Sequence, residues 1–243
     1  MNYFKHFPVT AYAFGKETLP DIFRDITVYV SIIDDIKDNV AFYNDYHIQE
    51  FERPDQVSNN LYGTVDYYWT FWLMNDKLRE RGWPLTNRDI NARLIKDYPS
   101  DTLITKSYIL ESFKVGQTVT GQTSGATGTI CHRHVNLGQL VLKNASGTFA
   151  SGENVVSTNA DGVLETLVAF EYEKEYNSAH HYKNGSEYQD VVTDSGTFDP
   201  GLYTKVTYTD YLFDQNDELR QIKVIKPENI IEITNAYREA LRS

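Results

Sequence analysis

The feature that most restricts how this chain can fold is the aromatic run LYGTVDYYWTFWLMND, residues 61–76. Six of the eleven residues from Tyr62 to Trp72 are aromatic. The segment from about Val65 to Met74 is predicted to be a helix with two apolar stripes. The first stripe comprises Val65, Tyr68, Trp69, Trp72 and Leu73, and the second comprises Tyr67, Phe71 and Met74. Because a helix that is apolar on two sides is buried on both, the second stripe must be covered either by this chain or by another molecule.

Three further helices are predicted from their end signals. The stretch RPDQVSNNLYG has Pro54 suited to a first helical position and Gly63 suited to a C-terminal cap. The segment 86–99 reads as a helix that stops before its last residue, a proline. After Pro227, an amphipathic C-terminal helix has one apolar face made by Ile230, Ile233, Tyr237 and Leu241.

The composition changes at about residue 111, where Gly, Thr, Ser and Val become frequent. The segment 111–170 is therefore predicted to be a small all-β domain, either a barrel or a sandwich. Aromatic and charged residues return after 170, which suggests that 1–110 and 171–243 form one domain into which 111–170 is inserted. In the later part, 202–213 reads as a strand and 214–218 as a turn. The predicted fold class is α+β.

Charge and cysteine content exclude several functions. A net charge of −11 argues against a broad basic surface for nucleic acid and against binding to an anionic membrane. The single cysteine, Cys131, permits no internal disulfide, so the chain does not need an oxidising compartment. No apolar run reaches the ~18 residues of a membrane span, and the N-terminus lacks the apolar core of a signal peptide. A soluble protein folded in the cytoplasm is expected.

Candidate catalytic and metal-binding residues are few and scattered. The sequence Cys131-His132-Arg133-His134 is the most metal-like cluster, with His180 and His181 as further candidates, but a zinc site needs three or four converging ligands. The remaining candidates are two sets of carboxylates, Asp34 with Asp35, and the alternating Glu171, Glu173 and Glu175. The alternating glutamates are more simply interpreted as the solvated face of a strand. No enzyme activity, metal or cofactor is predicted.

Three segments together resemble one family of phage proteins. Residues 52–76, with Arg53-Pro54-Asp55, Leu61-Tyr62-Gly63, Tyr68-Trp69 and Asn75-Asp76, resemble the LysM-like module of phage tails and baseplates. Residues 216–230 look like its closing strand and C-terminal extension, and 19–26 is similar to the N-terminal segment of baseplate wedge protein 53 of T-even-like contractile-tailed phages. The resemblance implies a βααβ module, about 46–76 plus 218–226, split by long insertions. The segment 111–170 does not match that family's pattern.

The resemblance implies a non-enzymatic structural subunit of the virion's tail baseplate, assembled in the host cytoplasm. Such a subunit binds the inner wedge proteins and helps join neighbouring wedges in a sixfold assembly around the hub. Large aromatic residues are favoured at interface centres. The residues expected at the partner interface are Tyr62, Tyr67, Phe71, Met74, Ile230, Tyr237 and Leu241.

Two other functions stay open at this point. A LysM relationship also allows glycan binding, such as peptidoglycan, through exposed aromatic side chains. Against it, the module is interrupted and occurs once, whereas glycan-binding copies are usually contiguous. A cell-wall hydrolase with a carboxylate pair ranks last, because nothing in the sequence places two carboxylates together. The segment 111–170 is expected to contact a neighbouring virion protein.

Overall fold

The structure is a computed structural model that describes residues 7–13, 21–25, 36–185, 187–189 and 203–241. Its residues divide into two compact units. Unit 1 is formed by the chain up to Thr86 and again from Asn216, and unit 2 by Asn87–Gln215. The mixed helix and strand composition agrees with the predicted α+β class.

The elements of unit 1 are short. Its strands are β1 Val9–Tyr12, β2 Asp21–Arg24, β3 Tyr43–His47 and, late in the chain, β13 Gln221–Ile225. Its helices are α1 Pro54–Tyr62, α2 Thr70–Met74, α3 Asp76–Arg81 and, at the C-terminal end, α6 Ile230–Ala240.

Unit 2 begins with helix α4, Asn87–Asp97, and is otherwise mainly β. Its strands are β4 Asp101–Thr105, β5 Thr118–Gly121, β6 Thr127–His134, β7 Gln139–Ser146, β8 Asn154–Thr158, β9 Leu164–Lys174, β10 Ala179–Asn184, β11 Glu187–Gln189 and β12 Thr204–Thr207. Helix α5, Tyr208–Arg220, follows directly, and its residues from Asn216 onward belong to unit 1.

Two antiparallel strand pairs organise unit 1. Strand β1 pairs with β2, and β3 pairs with β13 in a register that sets His47 opposite Gln221. Helices α1 and α2 follow β3 in the chain, and α3 and then the whole of unit 2 come before β13. Gly63 ends α1 in the left-handed region, at φ 71°, as the sequence predicted.

The aromatic run is not one continuous helix. Val65–Tyr67 forms a 3₁₀ turn, and α2 begins only at Thr70. Ser58 holds this break, because its buried hydroxyl donates to the Thr64 carbonyl at 2.7 Å and accepts from the Tyr67 N–H at 3.2 Å. A polar side chain that competes for backbone groups in this way favours a turn over a helix.

Six strands of unit 2 close into an antiparallel barrel in the order β4-β7-β6-β5-β8-β9. Its interior is filled by Leu103, Ile109, Phe113, Val119, Ala126, Ile130, Leu140, Leu142, Phe149, Val155, Leu167 and Ala169. The barrel begins at Asp101 and ends at Lys174, so its strands extend beyond the predicted segment 111–170 at both ends. That this segment was inserted into a wedge-protein domain stays a prediction.

Glu153 fixes two loops of the barrel. Its buried carboxylate accepts hydrogen bonds from the backbone N–H groups of Thr123, Ser124 and Ala150 and from the Ser124 hydroxyl. Burial by itself raises the pKa of the Glu153 carboxyl, but these hydrogen bonds, led by those from Ser124, lower it below its usual value. A Cβ atom at Gly121 would collide with Ser124 Oγ and with the Glu153 carboxylate, which explains a glycine there.

The strand predicted over 202–213 is wrong after residue 207, and the turn predicted over 214–218 is wrong throughout. The chain is extended only through β12 and then forms α5 up to Arg220. Thr207 and Asp210 cap the helix reciprocally: Asp210 Oδ2 accepts from the Thr207 N–H, and Thr207 Oγ1 accepts from the Asp210 N–H, each at 3.0 Å. This capping box starts a helix where apolar alternation suggested a strand.

Candidate partner-binding site

The predicted partner-binding residues lie within unit 1 and are largely covered by it. Phe71, Met74, Ile230, Tyr237 and Leu241 are buried, and Tyr62 and Tyr67 are half-buried. Burial by the chain itself leaves the first five almost no surface to offer a partner. The reason is that the module has a core on each side of its sheet, and these five side chains lie in the two cores. A partner contact of the seven residues stays a prediction.

One core lies between the aromatic segment and the C-terminal helix α6. It contains Phe7, Ile36, Trp69, Met74, Ile225, Ile230, Ile233, Tyr237 and Leu241. Trp69 packs on Tyr237 with ring centres 5.6 Å apart, and its indole N–H donates to the Asp66 carbonyl at 2.9 Å. The apolar face predicted for the C-terminal helix is therefore correct, and α6 covers one side of the aromatic module.

The second core lies on the opposite side, around Phe71. It contains Ile48, Val57, Phe71, Leu78, Leu219, Ile222 and Val224. Trp83 closes it: its ring lies 5.9 Å from Phe71 and 5.5 Å from Trp72, and its N–H donates to the Glu52 carbonyl at 2.8 Å. Trp83 was missed by the sequence reasoning, since it lies outside the helical periodicity that defined the stripes.

Several large apolar residues lie at the surface of unit 1. Val65 and Tyr68, both of the first stripe, are 50% and 37% exposed. Near β3, Val40 and Phe51 are 68% and 73% exposed, and Phe42 is 37% exposed. Isolated exposed apolar residues are ordinary, whereas several around one element mark a contact surface.

Two side chains seal the outer edge of β13. Asn75 Oδ1 accepts from the Lys223 N–H, and Asn75 Nδ2 donates to the Lys223 carbonyl, both at 2.8 Å. Tyr62 donates its hydroxyl hydrogen to the Ile225 carbonyl at 2.9 Å, and burial raises the pKa of the Tyr62 phenol above its ordinary value. The amide of Asn75 thus takes the place of a neighbouring strand at Lys223.

Below this edge lies an open groove of about 500 Å³ with charged walls. Lys37 pairs with Asp76 at 2.7 Å, and Lys77 pairs with Glu218 at 3.3 Å. Its lining, among the described residues, includes no aromatic ring on which a sugar could stack: it is made by Lys37, Asp38, Asp45, Met74, Asn75, Asp76, Lys77, Leu78, Glu218, Leu219, Gln221, Ile222 and Lys223.

The histidines considered as metal ligands meet aromatic residues in unit 2. His134 Nε2 lies 3.4 Å from the Tyr208 hydroxyl, and the ring of His180 stacks on Tyr211 with centres 4.0 Å apart. The Nδ1 atoms of His180 and His181 are 2.9 Å apart. Burial lowers the pKa of His134 and of His180. Within the described parts of the chain, no three His, Cys, Asp or Glu side chains converge as a metal site.

The carboxylate candidates do not form a catalytic pair in the described structure. Glu173 is paired with Lys205 at 2.6 Å, Glu171 lies 3.9 Å from the same ammonium group, and Glu175 accepts from the Ser100 N–H at 3.2 Å. Asp34 and Asp35 lie outside the described residues. Cys131 donates to the Val141 carbonyl at 3.3 Å within the barrel. No helix of the described residues has the length and apolar character needed to span a bilayer.

The chain was compared with known protein families, and part of it matches a family model. Residues 8–99 match the family model described as Base plate wedge protein 53. The match covers β1 to α4 and includes the aromatic run 61–76, and it confirms the resemblance to this family. A comparison with curated protein sequences gives no match.

Proposed function

We propose that the chain is a subunit that binds the inner wedge proteins and helps join neighbouring wedges, because its residues 8–99 match the family model of base plate wedge protein 53. A phage baseplate wedge protein is a structural component of the virion's tail, so its partners are other baseplate proteins. The observation that carries the proposal is the family match over the module built by β3, α1 and α2.

The surface of unit 1 supports an assembly role. Its two cores hold the aromatic rings inside, while Val40, Phe42, Phe51, Val65 and Tyr68 remain at the surface. Exposed apolar residues of this kind supply interface area without being needed for the fold. We propose that a sixfold assembly buries them between this subunit and its neighbours.

The pairing of β3 with β13 supports a LysM-like module split by long insertions, which the motif in 52–76 suggested. These strands pair antiparallel, and α1 and α2 follow β3 in the chain before the insertions. We propose that this module serves protein contacts rather than glycan binding, because the groove beside its sheet has charged walls.

The barrel offers a second contact surface, in agreement with the expected role of 111–170. Along β9, Leu164, Val168 and Phe170 alternate outward and are 63%, 48% and 47% exposed. We propose that this face contacts a neighbouring virion protein. Changing Val168 to Lys should then weaken incorporation into particles, whereas Lys at the exposed His132 should not, because β6 is the strand farthest from β9 in the barrel order. Equal incorporation of both variants would contradict this role.

The test of the proposed function is reconstitution of the wedge. The full chain is mixed with the other wedge proteins, and incorporation and the joining of wedges are followed by sedimentation and electron microscopy. The proposal expects incorporation, and loss of wedge joining when the chain is omitted. Saturable binding to peptidoglycan with no incorporation would instead support the glycan alternative.

A further inference from the structure

We propose that the outer edge of β3 binds an extended segment of another baseplate protein as an added β-strand. The inference rests on the proposed function, because it names the surface and the kind of partner through which this subunit enters the assembly. Three observations carry it: the direction of the backbone groups of β3, the contrast with the sealed edge of β13, and the charge on the open edge.

The register of the sheet fixes where the backbone groups of β3 point. The Ile48 N–H donates to the Arg220 carbonyl at 2.9 Å, and the Lys226 N–H donates to the Phe42 carbonyl at 3.0 Å. Antiparallel strands alternate between residues that face the partner strand and residues that face away. It follows that Asn44 and Tyr46 bond to β13, whereas the N–H and C=O groups of the three alternate residues point outward. These three are Tyr43, Asp45 and His47.

The outward backbone groups of the two edge strands differ in how far the chain itself hydrogen-bonds them. On β13, Asn75 occupies both outward backbone groups of Lys223, and Tyr62 occupies the outward carbonyl of Ile225. On β3, no hydrogen bond of the described structure reaches the outward backbone groups of Tyr43 or Asp45. At His47, only the carbonyl is bonded within the described parts of the chain, and it accepts from Gln49 Nε2 at 3.1 Å. A chain that seals one edge and leaves the other open presents a template for strand addition.

An extended backbone is the ligand that these groups fit. The outward donors and acceptors recur every second residue, the spacing at which a neighbouring strand offers its own. Asp45 is exposed, so an incoming chain can reach the middle of the edge. Phe42 directly precedes β3, and Phe51 follows it after one turn; both are exposed. Phe51 is held at φ 68°, an unfavourable conformation for a phenylalanine that the local structure maintains.

The charge of Asp45 disfavours a second copy of this chain as the added strand. If two copies paired edge to edge about Asp45, the two Asp45 carboxylates would face each other, and like charges directly opposite destabilise a sheet. Asp45 also has no ion pair in the described structure, since Lys223 across the sheet donates to the Lys37 carbonyl and lies over the Tyr43 ring. The chain as a whole carries a net charge of −11. The partner strand therefore carries Lys or Arg opposite Asp45.

The test uses the full chain and a wedge complex assembled without it. Hydrogen exchange is measured by mass spectrometry with fragmentation that resolves single amides, before and after incorporation. In the chain alone, the amides of Tyr43 and Asp45 should exchange fast while those of Asn44 and Tyr46 are protected. After incorporation all four should be protected.

Substitutions at one position separate the backbone from the charge. Asp45→Pro removes the outward N–H, which β13 does not use, and proline is tolerated on edge strands. This variant should lose affinity for the wedge complex by about tenfold, the effect of one backbone hydrogen bond and its orphaned acceptor. The matched control Asp45→Ala keeps the N–H and should lose less. Asp45→Lys should bind more weakly than Asp45→Ala, because it repels a basic partner.

The outcomes separate this inference from the proposed function. If the natural chain enters the wedge and the Tyr43 and Asp45 amides stay unprotected, strand addition is refuted while the subunit role stands. If the natural chain does not enter the wedge, the proposed function fails and the inference fails with it. If the Tyr43 and Asp45 amides became protected in the chain alone, and more so at higher concentrations of the chain, the added strand would be a second copy. That result would contradict a basic partner. Should Asp45→Pro lose its fold, the exchange measurement on the natural chain decides.

Discussion

Asn75 and Lys223 lie 148 residues apart in the chain, yet both polar groups of the asparagine amide bond to the backbone of Lys223. Asn75 ends α2, and Lys223 is the central residue of β13. The matched family segment, 8–99, contains the first residue and not the second. The module that carries the family signature is therefore completed by a strand from the far end of the sequence.

The first prediction concerns this link. Asn75→Ala removes both hydrogen bonds and leaves the N–H and C=O of Lys223 unsatisfied, which should lower the free energy of unfolding of unit 1 by about 1–3 kcal/mol. All three tryptophans, Trp69, Trp72 and Trp83, belong to unit 1, so tryptophan fluorescence in a urea titration reports this unit. Asn60→Ala, at an exposed position of α1, is the matched control and should leave the midpoint unchanged. A midpoint shift that is equal in both variants would remove the special role of Asn75.

The second prediction decides between a core and a partner role for Phe71. Its side chain is fully buried against Trp83 and the sheet, so Phe71→Ala should lower the free energy of unfolding of the chain alone by about 3–5 kcal/mol. Ile231→Ala, at a site that is 63% exposed, should change it by less than about 0.5 kcal/mol. If Phe71→Ala left the stability of the chain unchanged and weakened wedge assembly, the sequence-based interface would be right and the core position wrong.

Helix ends and composition were readable from the sequence, whereas the partners of each apolar face were not. Pro54, Gly63 and Pro99 restrict the local backbone conformation whatever packs around them, and α1 and α4 lie where they were predicted. Whether Phe71 faces this chain or another depends on β13 and Trp83, which local periodicity cannot locate. The stripes were also drawn on one continuous helix, and the hydrogen bonds of Ser58 break that helix before Thr70.

The segment 202–213 shows a different reason for failure. Its alternation of apolar and polar residues fits a strand, but Thr207 and Asp210 stand three residues apart, the spacing of a helix cap. That signal was present in the sequence and was outweighed by the alternation. The open edge of β3, in contrast, follows only from the register with β13, and no local pattern in 43–47 reveals it.

The third prediction concerns the histidines of unit 2. Burial lowers the pKa of His134, His180 and His181 below the ordinary 6.5, with Lys183 lowering and Asp214 raising that of His181. The folded state thus binds fewer protons than the unfolded state. The stability that these groups contribute is complete above about pH 6.5 and is lost as the pH falls through their lowered folded values.

Hydrogen exchange of strand β10 should therefore accelerate, after correction for intrinsic rates, as the pH is lowered from about 7 to about 5. His180→Phe keeps an aromatic ring to stack on Tyr211 and should reduce this pH dependence. His47→Gln, at an exposed position of unit 1, should leave it as in the natural chain. Equal pH dependence in the His180 variant and the natural chain would rule out His180 as a source.

The last prediction concerns Glu153, whose carboxylate joins two loops of the barrel. Glu153→Gln replaces a charged acceptor of four hydrogen bonds by an amide that can accept through one oxygen only, and should destabilise the barrel by about 1–3 kcal/mol near neutral pH. Because its hydrogen bonds outweigh burial and lower the pKa of this carboxyl below 4.5, the stability that it contributes is present above that value. This stability is lost as the pH falls through the lower pKa of the folded state.

A urea titration followed by circular dichroism at several pH values should show a smaller loss of stability below about pH 4.5 in Glu153→Gln than in the natural chain. The control Glu111→Gln changes a side chain that is 83% exposed and should behave as the natural chain does. Parallel pH profiles for all three proteins would mean that the Glu153 carboxylate is not a source of this acid sensitivity.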